Sequence, residues 1–536
     1  MTRSAGVVSA GVMVSRVLGL VREQVLAYLF PAKVGLDAFY AAFRIPNLLR
    51  DMFGEGALSK AFVTTLSEIE AKEGRAASMR VANIVFNALG ITVSALALLG
   101  ILYADVIVDV VFGGVGFDTA LPADQSYGLG TKRDLTVLLT QIMFPFLLLV
   151  SLAALVMAIL NAGGRFFVPA MASSFFNIGS IVVGVVGYVI APRLGYHPTV
   201  GMAVGVLAGG VLQLAWQLPS LASLGFRFRP DFSFRDPWLS KAARLFGPGA
   251  LMASTVQVNV LVNSFFASHG EGWLAWLTQS YRVLHLPLGL VSVAVSIATL
   301  PALSRAAAER NNERFLQTFS YATRLVILFT VPATVGLLVL APPIVRLIFE
   351  QGRFGPEDTT QVASALRYYA LGLLSFGAIK IVTDGFYAIR DVRAPMMVSL
   401  AGMGSNAALN WLFVVVLGWD HRGLALATST TTTLSLVVLW LLFRRRSRLG
   451  RLDGRRSVAT LIKTLAASMV MGAAALLTHQ LLDGLFGHAA LLPRIAQVLG
   501  AISIAVLVYI LGCMILRVRE LKEVAAALAP AAFGWR

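Results

Sequence analysis

The sequence predicts an all-α polytopic membrane protein of about fourteen transmembrane helices, and three observations predict it. Hydrophobic residues make up 57% of the 536-residue chain and charged residues only 13%, about half the charged share of a soluble domain. Apolar runs long enough to cross a bilayer, at about 20 residues each, recur from end to end. The Lys and Arg residues between those runs divide 28 to 8 between alternate sets of loops, the asymmetry that places basic loops in the cytoplasm. Together with a mean hydropathy of +0.78, this excludes a disordered chain, a disulfide scaffold and an ordinary soluble enzyme. The net charge of +17 reads as basic loops facing anionic lipid, with no nucleic-acid partner. The single cysteine, Cys513, allows neither an intrachain disulfide nor a cysteine metal site.

The elements follow in order. The first expected span, 5–29, contains Arg16 and runs straight into Arg22 and Glu23. It lacks the clean apolar stretch and small-residue cleavage site of a signal peptide, so it is expected to stay as the first membrane helix. The second, 35–66, holds Pro46 and the step Gly54-Glu55-Gly56, and is expected to kink or break. Spans at 80–112, 135–160, 168–191 and 199–222 complete one group of six. Spans at 243–268, 274–303, 318–341, 361–389, 395–418 and 423–443 form a second group, and 458–482 and 491–516 follow. An even count with the basic loops inside puts both termini in the cytoplasm.

A weak internal repeat relates the groups. Ala42-Phe43-Arg44-Ile45-Pro46 is similar to Ser280-Tyr281-Arg282-Val283-Leu284, and Gly201-Met202-Ala203 to Gly423-Leu424-Ala425. Two parallel six-helix halves are a transporter architecture. The expected organisation is 1–225 and 226–447 as pseudo-symmetric six-helix lobes, with 448–536 holding the last two helices and a cytoplasmic tail.

Charge inside the spans is the informative feature. Arg16, Arg22, Arg44, Arg50 and Lys60 fall in the first two spans, beside Glu23, Asp37, Asp51 and Glu55, and Arg282 falls in the second group. Four uncompensated arginines would cost on the order of 10–14 kcal/mol at mid-bilayer, so they must pair or face a polar cavity. One reading is internal pairing, Arg22 with Glu23 or Asp37 and Arg50 with Asp51 or Glu55. The other is a cationic cavity for an anionic substrate: six bases against four acids leave a surplus suited to a diphosphate, which arginine grips bidentately. Asp37 and Arg44, seven apart, share a helix face. Gly54 and Gly56 give Glu55 the freedom either of a gate or of a solvated acid at a kink.

Other patterns carry less. No nucleotide-binding Gly-Lys loop, catalytic triad or metal-ligand spacing is present, so no cofactor, metal or catalytic residue is expected. Lys380 and Asp384 are spaced as a structural i, i+4 pair. Asn406 and Asn410, with Asn263 and Thr428, offer oxygens to a cation, although amides in a helix bundle more often bond to neighbouring helices.

Three segments carry a resemblance. Ser15-Arg16-Val17-Leu18-Gly19-Leu20-Val21-Arg22-Glu23, then Asp37-Ala38-Phe39-Tyr40-Ala41-Ala42-Phe43-Arg44-Ile45-Pro46-Asn47-Leu48-Leu49-Arg50, then Gly54-Glu55-Gly56-Ala57-Leu58-Ser59-Lys60, resemble the MurJ/MviN family of lipid II flippases, within the MOP exporter superfamily. Asn161 to Pro169, Leu340 to Phe354 and the span layout extend the resemblance along the chain. It implies a V-shaped pair of lobes, with the last two helices forming a groove for the undecaprenyl tail. It implies that Arg22, Glu23, Arg50 and Arg282 surround the diphosphate and sugars, with Arg16, Asp37, Arg44 and Glu55 as further cavity or gate positions. It implies alternating-access transport in the bacterial cytoplasmic membrane for cell wall biogenesis and cell shape. The implied partners are lipid II, membrane lipids, and cell-wall synthesis and division proteins. A flippase for another polyprenyl-diphosphate oligosaccharide and a membrane glycosyltransferase of such a lipid are the alternatives; the latter needs an extramembrane catalytic loop that the sequence lacks. Some relatives hold sodium at positions matching Asn263, Asn406, Asn410 and Thr428. Amides there in place of carboxylates remove the charge a hard cation wants, so membrane potential is the expected driving force.

Overall fold

The computed structural model describes residues 2–50, 57–446, 453–487 and 491–532, and among them the only strand-like feature is one isolated bridge, Ala120 to Thr131. Everything else that is regular is helical. The chain runs α1 (Thr2–Leu29), α2 (Val34–Arg50), α3 (Ala57–Glu73), α4 (Arg75–Leu102), α5 (Ala104–Phe112), α6 (Lys132–Met143), α7 (Phe146–Ala162), α8 (Phe167–Ile190), α9 (Pro198–Ala215), α10 (Leu218–Ser223) and α11 (Pro237–Ala267). It continues with α12 (Trp273–Ala308), α13 (Asn312–Phe349), α14 (Pro356–Ala370), α15 (Leu373–Ala388), α16 (Arg393–Asn410), α17 (His421–Arg446), α18 (Gly454–Phe486), α19 (Leu491–Ile515) and α20 (Arg519–Ala532).

Among the described residues ten helical stretches are long and apolar enough to cross a membrane, and the pair α14 and α15, bent by 44°, makes eleven if it is one span. The three other expected positions, 5–29, 35–66 and 243–268, are also helical where described, in α1, in α2 with α3, and in α11. The third span departs from expectation. The third span ends at Leu102, and Ala104–Phe112 is a separate short helix. Helix α2 passes through Pro46 to Arg50; the step at Gly54-Glu55-Gly56 lies outside the described residues.

Local chemistry explains the ends. Thr131 and Asp134 form a reciprocal capping box at the start of α6, satisfying two of the orphan N–H groups there. Asp236, Asn311 and Asp453 cap α11, α13 and α18 through their side-chain oxygens.

The chain forms two compact units, Met1–Ala275 and Trp276–Arg536. In the first, Phe62, Leu66 and Ile69 of α3 pack with Val81 and Val85 of α4 and Leu155, Val156 and Ile159 of α7. Helices α8 and α9 meet along a glycine seam: a Cβ at Gly201 would lie 2.1 Å from the Gly187 carbonyl carbon, and one at Gly179 would lie 2.8 Å from the Gly209 Cα. Such close approach maximises dispersion contact where lipid supplies no hydrophobic drive between helices. In the second unit, Phe315, Phe319, Phe386 and Phe443 join α13, α15 and α17. A separate cluster fastens α18 and α19 to α13 through Met471, Ala505 and Tyr509, with Tyr509 Oη donating to the Leu328 carbonyl at 2.6 Å.

Candidate functional site

Helices α1 and α2 bring the first group of predicted charges together. Glu23 is 1% exposed and is held from two sides: Arg22 Nη2 donates to one carboxylate oxygen at 3.0 Å, and Tyr40 Oη to the other at 2.6 Å. Arg22 also lies 5.3 Å from the Phe176 ring centroid, within the range of a cation–π contact. Asn177, the next residue on α8, donates to the Ser15 carbonyl at 3.2 Å. This local pairing is one of the two readings the sequence left open, and it orients the guanidinium. Arg16 is exposed, while Arg44 and Arg50 are half-buried.

Asp37 takes a different role from its neighbours. It is fully buried and accepts from Lys132 Nζ at 2.7 Å and from the backbone N–H groups of Gly272 and Ala275 at 2.6 and 2.7 Å. A carboxylate at the exposed donors of a helix start is favourable in charge and in hydrogen bonding. Lys132 in turn sits 4.0 Å over the Phe117 ring. Sequence reasoning placed Lys132 in a loop; its signal was a lone Lys-Arg-Asp triplet opening an apolar run. Tyr40, which holds Glu23, was also missed, although it stands three residues after Asp37 within the quoted motif. Glu55, Gly54 and Gly56, expected as gating elements, lie outside the described residues.

The second unit carries Arg282, half-buried on α12. One residue before it, Tyr281 stacks edge-on with His285 at 4.4 Å. Asp384 is buried and accepts from Ser296 Oγ at 2.5 Å. Among the described residues it forms no ion pair with Lys380, correcting the expected i, i+4 pair. Asn406 and Asn410 are fully buried and bond to each other, Asn410 Nδ2 donating to Asn406 Oδ1 at 3.1 Å. Thr428 donates to the Leu424 carbonyl on its own helix. Asn263 belongs to the first unit, so only three of the four cation candidates lie in the second. Among the described residues no group of three or more His, Cys, Asp or Glu could hold a metal ion.

An arginine-bearing α1–α2 pair on a helical fold of this kind has known counterparts. A family model described as "Lipid II flippase MurJ" matches residues 26–497. The chain belongs to the MurJ family. A probable lipid II flippase MurJ from Vibrio cholerae is 37% identical over 439 residues, 82% of each chain. The lipid II flippase MurJ of Burkholderia cenocepacia is 32% identical over 444 residues, 82% of this chain and 83% of the relative. Among solved structures, a lipid II flippase MurJ in an inward closed conformation superposes with a TM-score of 0.75 at 25% identity, covering 95% of this chain and 98% of the other. An inward-facing MATE-family multidrug transporter of the MOP superfamily gives a TM-score of 0.66 at 16% identity, over 83% of this chain and 98% of that one. The MurJ match and the MATE match share the transporter fold expected from the two-group span layout.

Proposed function

We propose that this MurJ-family chain is a lipid II flippase that carries the polar head of the undecaprenyl-diphosphate-linked peptidoglycan precursor from the cytoplasmic to the periplasmic leaflet. It works by alternating access, and no bond is made or broken. The carrying observation is the fixed guanidinium of Arg22, clamped by Glu23 with Tyr40 behind it on a membrane helix that also bears Arg16. Arginines oriented in a low-dielectric setting suit a diphosphate. In this reading Arg16, Arg22, Arg44 and Arg50 of the first unit, and Arg282 of the second, contact the diphosphate and sugars. Glu23 sets the angle of Arg22, and Asp37 is a structural charge.

The same reading assigns 1–225 and 226–447 as six-helix lobes and gives α18 and α19 to the undecaprenyl tail. It places the protein in the bacterial cytoplasmic membrane with both termini inside, beside cell-wall synthesis and division proteins. Membrane potential drives the cycle. Depleting the protein and measuring lipid II in each leaflet tests the function: accumulation in the cytoplasmic leaflet is expected, and an unchanged distribution overturns it.

A further inference from the structure

The connection from α10 to α11 is unusual for a loop between membrane helices. Residues 226–238 read Phe-Arg-Phe-Arg-Pro-Asp-Phe-Ser-Phe-Arg-Asp-Pro-Trp. Phe228, Phe232 and Phe234 are 60%, 57% and 47% exposed. Arg227, Arg229 and Arg235 are exposed too, and among the described residues none of the three forms an ion pair. An exposed aromatic and basic stretch of this density, left to itself, would be expected to fold back or move.

It is instead fastened along α4. Asn83 accepts from the Arg229 N–H at 2.8 Å and donates to the Arg227 carbonyl at 3.1 Å. Asn87 donates to the carbonyls of Arg229 and Asp231 at 3.0 and 3.1 Å. Arg80 pairs with Asp231 at 3.4 Å, and Phe86 packs against Phe226 and Phe228. At the far end Trp238 Nε1 donates to Glu73. The two asparagines therefore satisfy the backbone of the segment while its Phe and Arg side chains are left outward.

The depth follows from α4. Its 28 residues span about 42 Å at 1.5 Å each, against about 30 Å of hydrocarbon. The overhang belongs to the charged end, Arg75 and Arg80, because the other end is apolar through Leu102. Asn83 and Asn87 lie about 12 and 18 Å from Arg75 along the helix, where headgroups give way to acyl chains. At that level aromatic rings are at home, and arginine attracts anionic lipid.

We propose that residues 226–238 are a binding surface for anionic phospholipid headgroups, with Arg227, Arg229 and Arg235 taking the phosphates and Phe228, Phe232 and Phe234 entering the acyl boundary. Charge complementarity selects an anionic occupant over a zwitterionic one. The cytoplasmic placement of this surface rests on the orientation proposed above.

The test uses the full chain with Ser233→Cys and Cys513→Ser, labelled with a fluorophore at position 233 and reconstituted in vesicles. At equal mole fraction, brominated phosphatidylglycerol is expected to quench the label at least about five times more than brominated phosphatidylcholine, since a single arginine at an anionic surface is worth about 1 kcal/mol, a factor of about five. Arg227→Gln with Arg229→Gln and Arg235→Gln should abolish that difference, while the matching triple Lys variant keeps it. Phe228→Ser with Phe232→Ser and Phe234→Ser should lower quenching by both lipids. Equal quenching by the two lipids in the parent, or an undiminished difference in the triple Gln variant, overturns the proposal. So does a parallel loss of lipid II binding in the triple Gln variant, which would place the segment on the substrate path. A membrane-impermeant thiol reagent added from outside whole cells reports orientation separately: labelling of position 233 would overturn the cytoplasmic placement while the lipid preference stands or falls by itself.

Discussion

Lys132 Nζ lies 2.7 Å from Asp37 Oδ2, and both side chains are wholly buried. The two residues come from α6 and α2, and the same carboxylate takes the first N–H groups at the head of α12. Three donors and one opposite charge satisfy an acid that would otherwise be costly at this depth.

Lys132→Met should therefore destabilise the purified protein by about 3–5 kcal/mol, the usual result of stranding one member of a buried pair. Asp37→Asn should do comparable harm. The double variant should lose clearly less than the two single losses added together, since neither charge is then stranded. Thermal unfolding of the three proteins checks this, and simple additivity would show that the two residues are not coupled.

Arg22→Ala, Arg50→Ala and Arg282→Ala should each abolish cell-wall synthesis in a depletion strain while the protein remains in the membrane. Lys at the same positions should rescue only in part, because an ammonium cannot make the bidentate contact. Growth at normal expression with all three Ala variants would end the anion-binding assignment.

Transport in reconstituted vesicles should continue without sodium and stop when the membrane potential is collapsed. The reason is the neutral Asn406–Asn410 pair, which offers a hard cation no negative charge. Moving one charge through 100 mV is worth about 2.3 kcal/mol. Strict sodium dependence would contradict this.

Acid should weaken the turn before α9. His197 is buried, its Nδ1 accepts from the Thr199 N–H at 3.2 Å, and burial pushes its pKa from 6.5 down to about 4. The unfolded chain then binds the proton first, so stability is full above pH 6.5 and falls as the pH drops toward 4. The loss at pH 5 is at most about 2 kcal/mol. His197→Asn keeps an N-cap acceptor without titrating, so its melting temperature should change less between pH 7.5 and pH 5 than the parent's.

Gly201→Ala should destabilise by about 1–3 kcal/mol, the range for overpacking, because its Cβ would meet backbone rather than a movable side chain. Gly195, at φ +78 with nothing within 4 Å of a built Cβ, should lose less from contact and more from backbone strain. Melting temperatures of Gly201→Ala and Gly195→Asn, the latter tolerant of that φ, separate the two causes.

Apolar runs and loop charge were enough to read the helical membrane fold, because each span reports its own burial. The Arg22–Glu23 pair was legible for the same local reason. Lys132 and Arg324 were not: Lys132 falls between expected spans yet is buried on Asp37, and Arg324 lies buried on α13 against Glu520 at 2.8 Å. Their partners are distant along the chain, and no periodicity within one helix announces them. The α20 helix was read as a tail for a similar reason, since its anchoring acid finds its bases only in three dimensions. Asn83 and Asn87 of α4 carry no local signal either, because the backbone they hold, at Arg229, lies 146 and 142 residues further along the chain.

The Glu520 contact has a consequence for how the chain is made. Arg324 is 6% exposed and Glu520 2% exposed, and Arg456 reaches the same carboxylate at 3.1 Å. During synthesis Arg324 enters the membrane roughly 200 residues before its acid leaves the ribosome, an interval of about 10–40 s at ordinary elongation rates. Throughout that interval α13 holds a cation without its final counter-charge. The second unit therefore closes around Arg324 only once α20 has followed α13 out of the ribosome, and a nascent chain stalled before α20 would hold that guanidinium against Asp453 alone, at 3.7 Å.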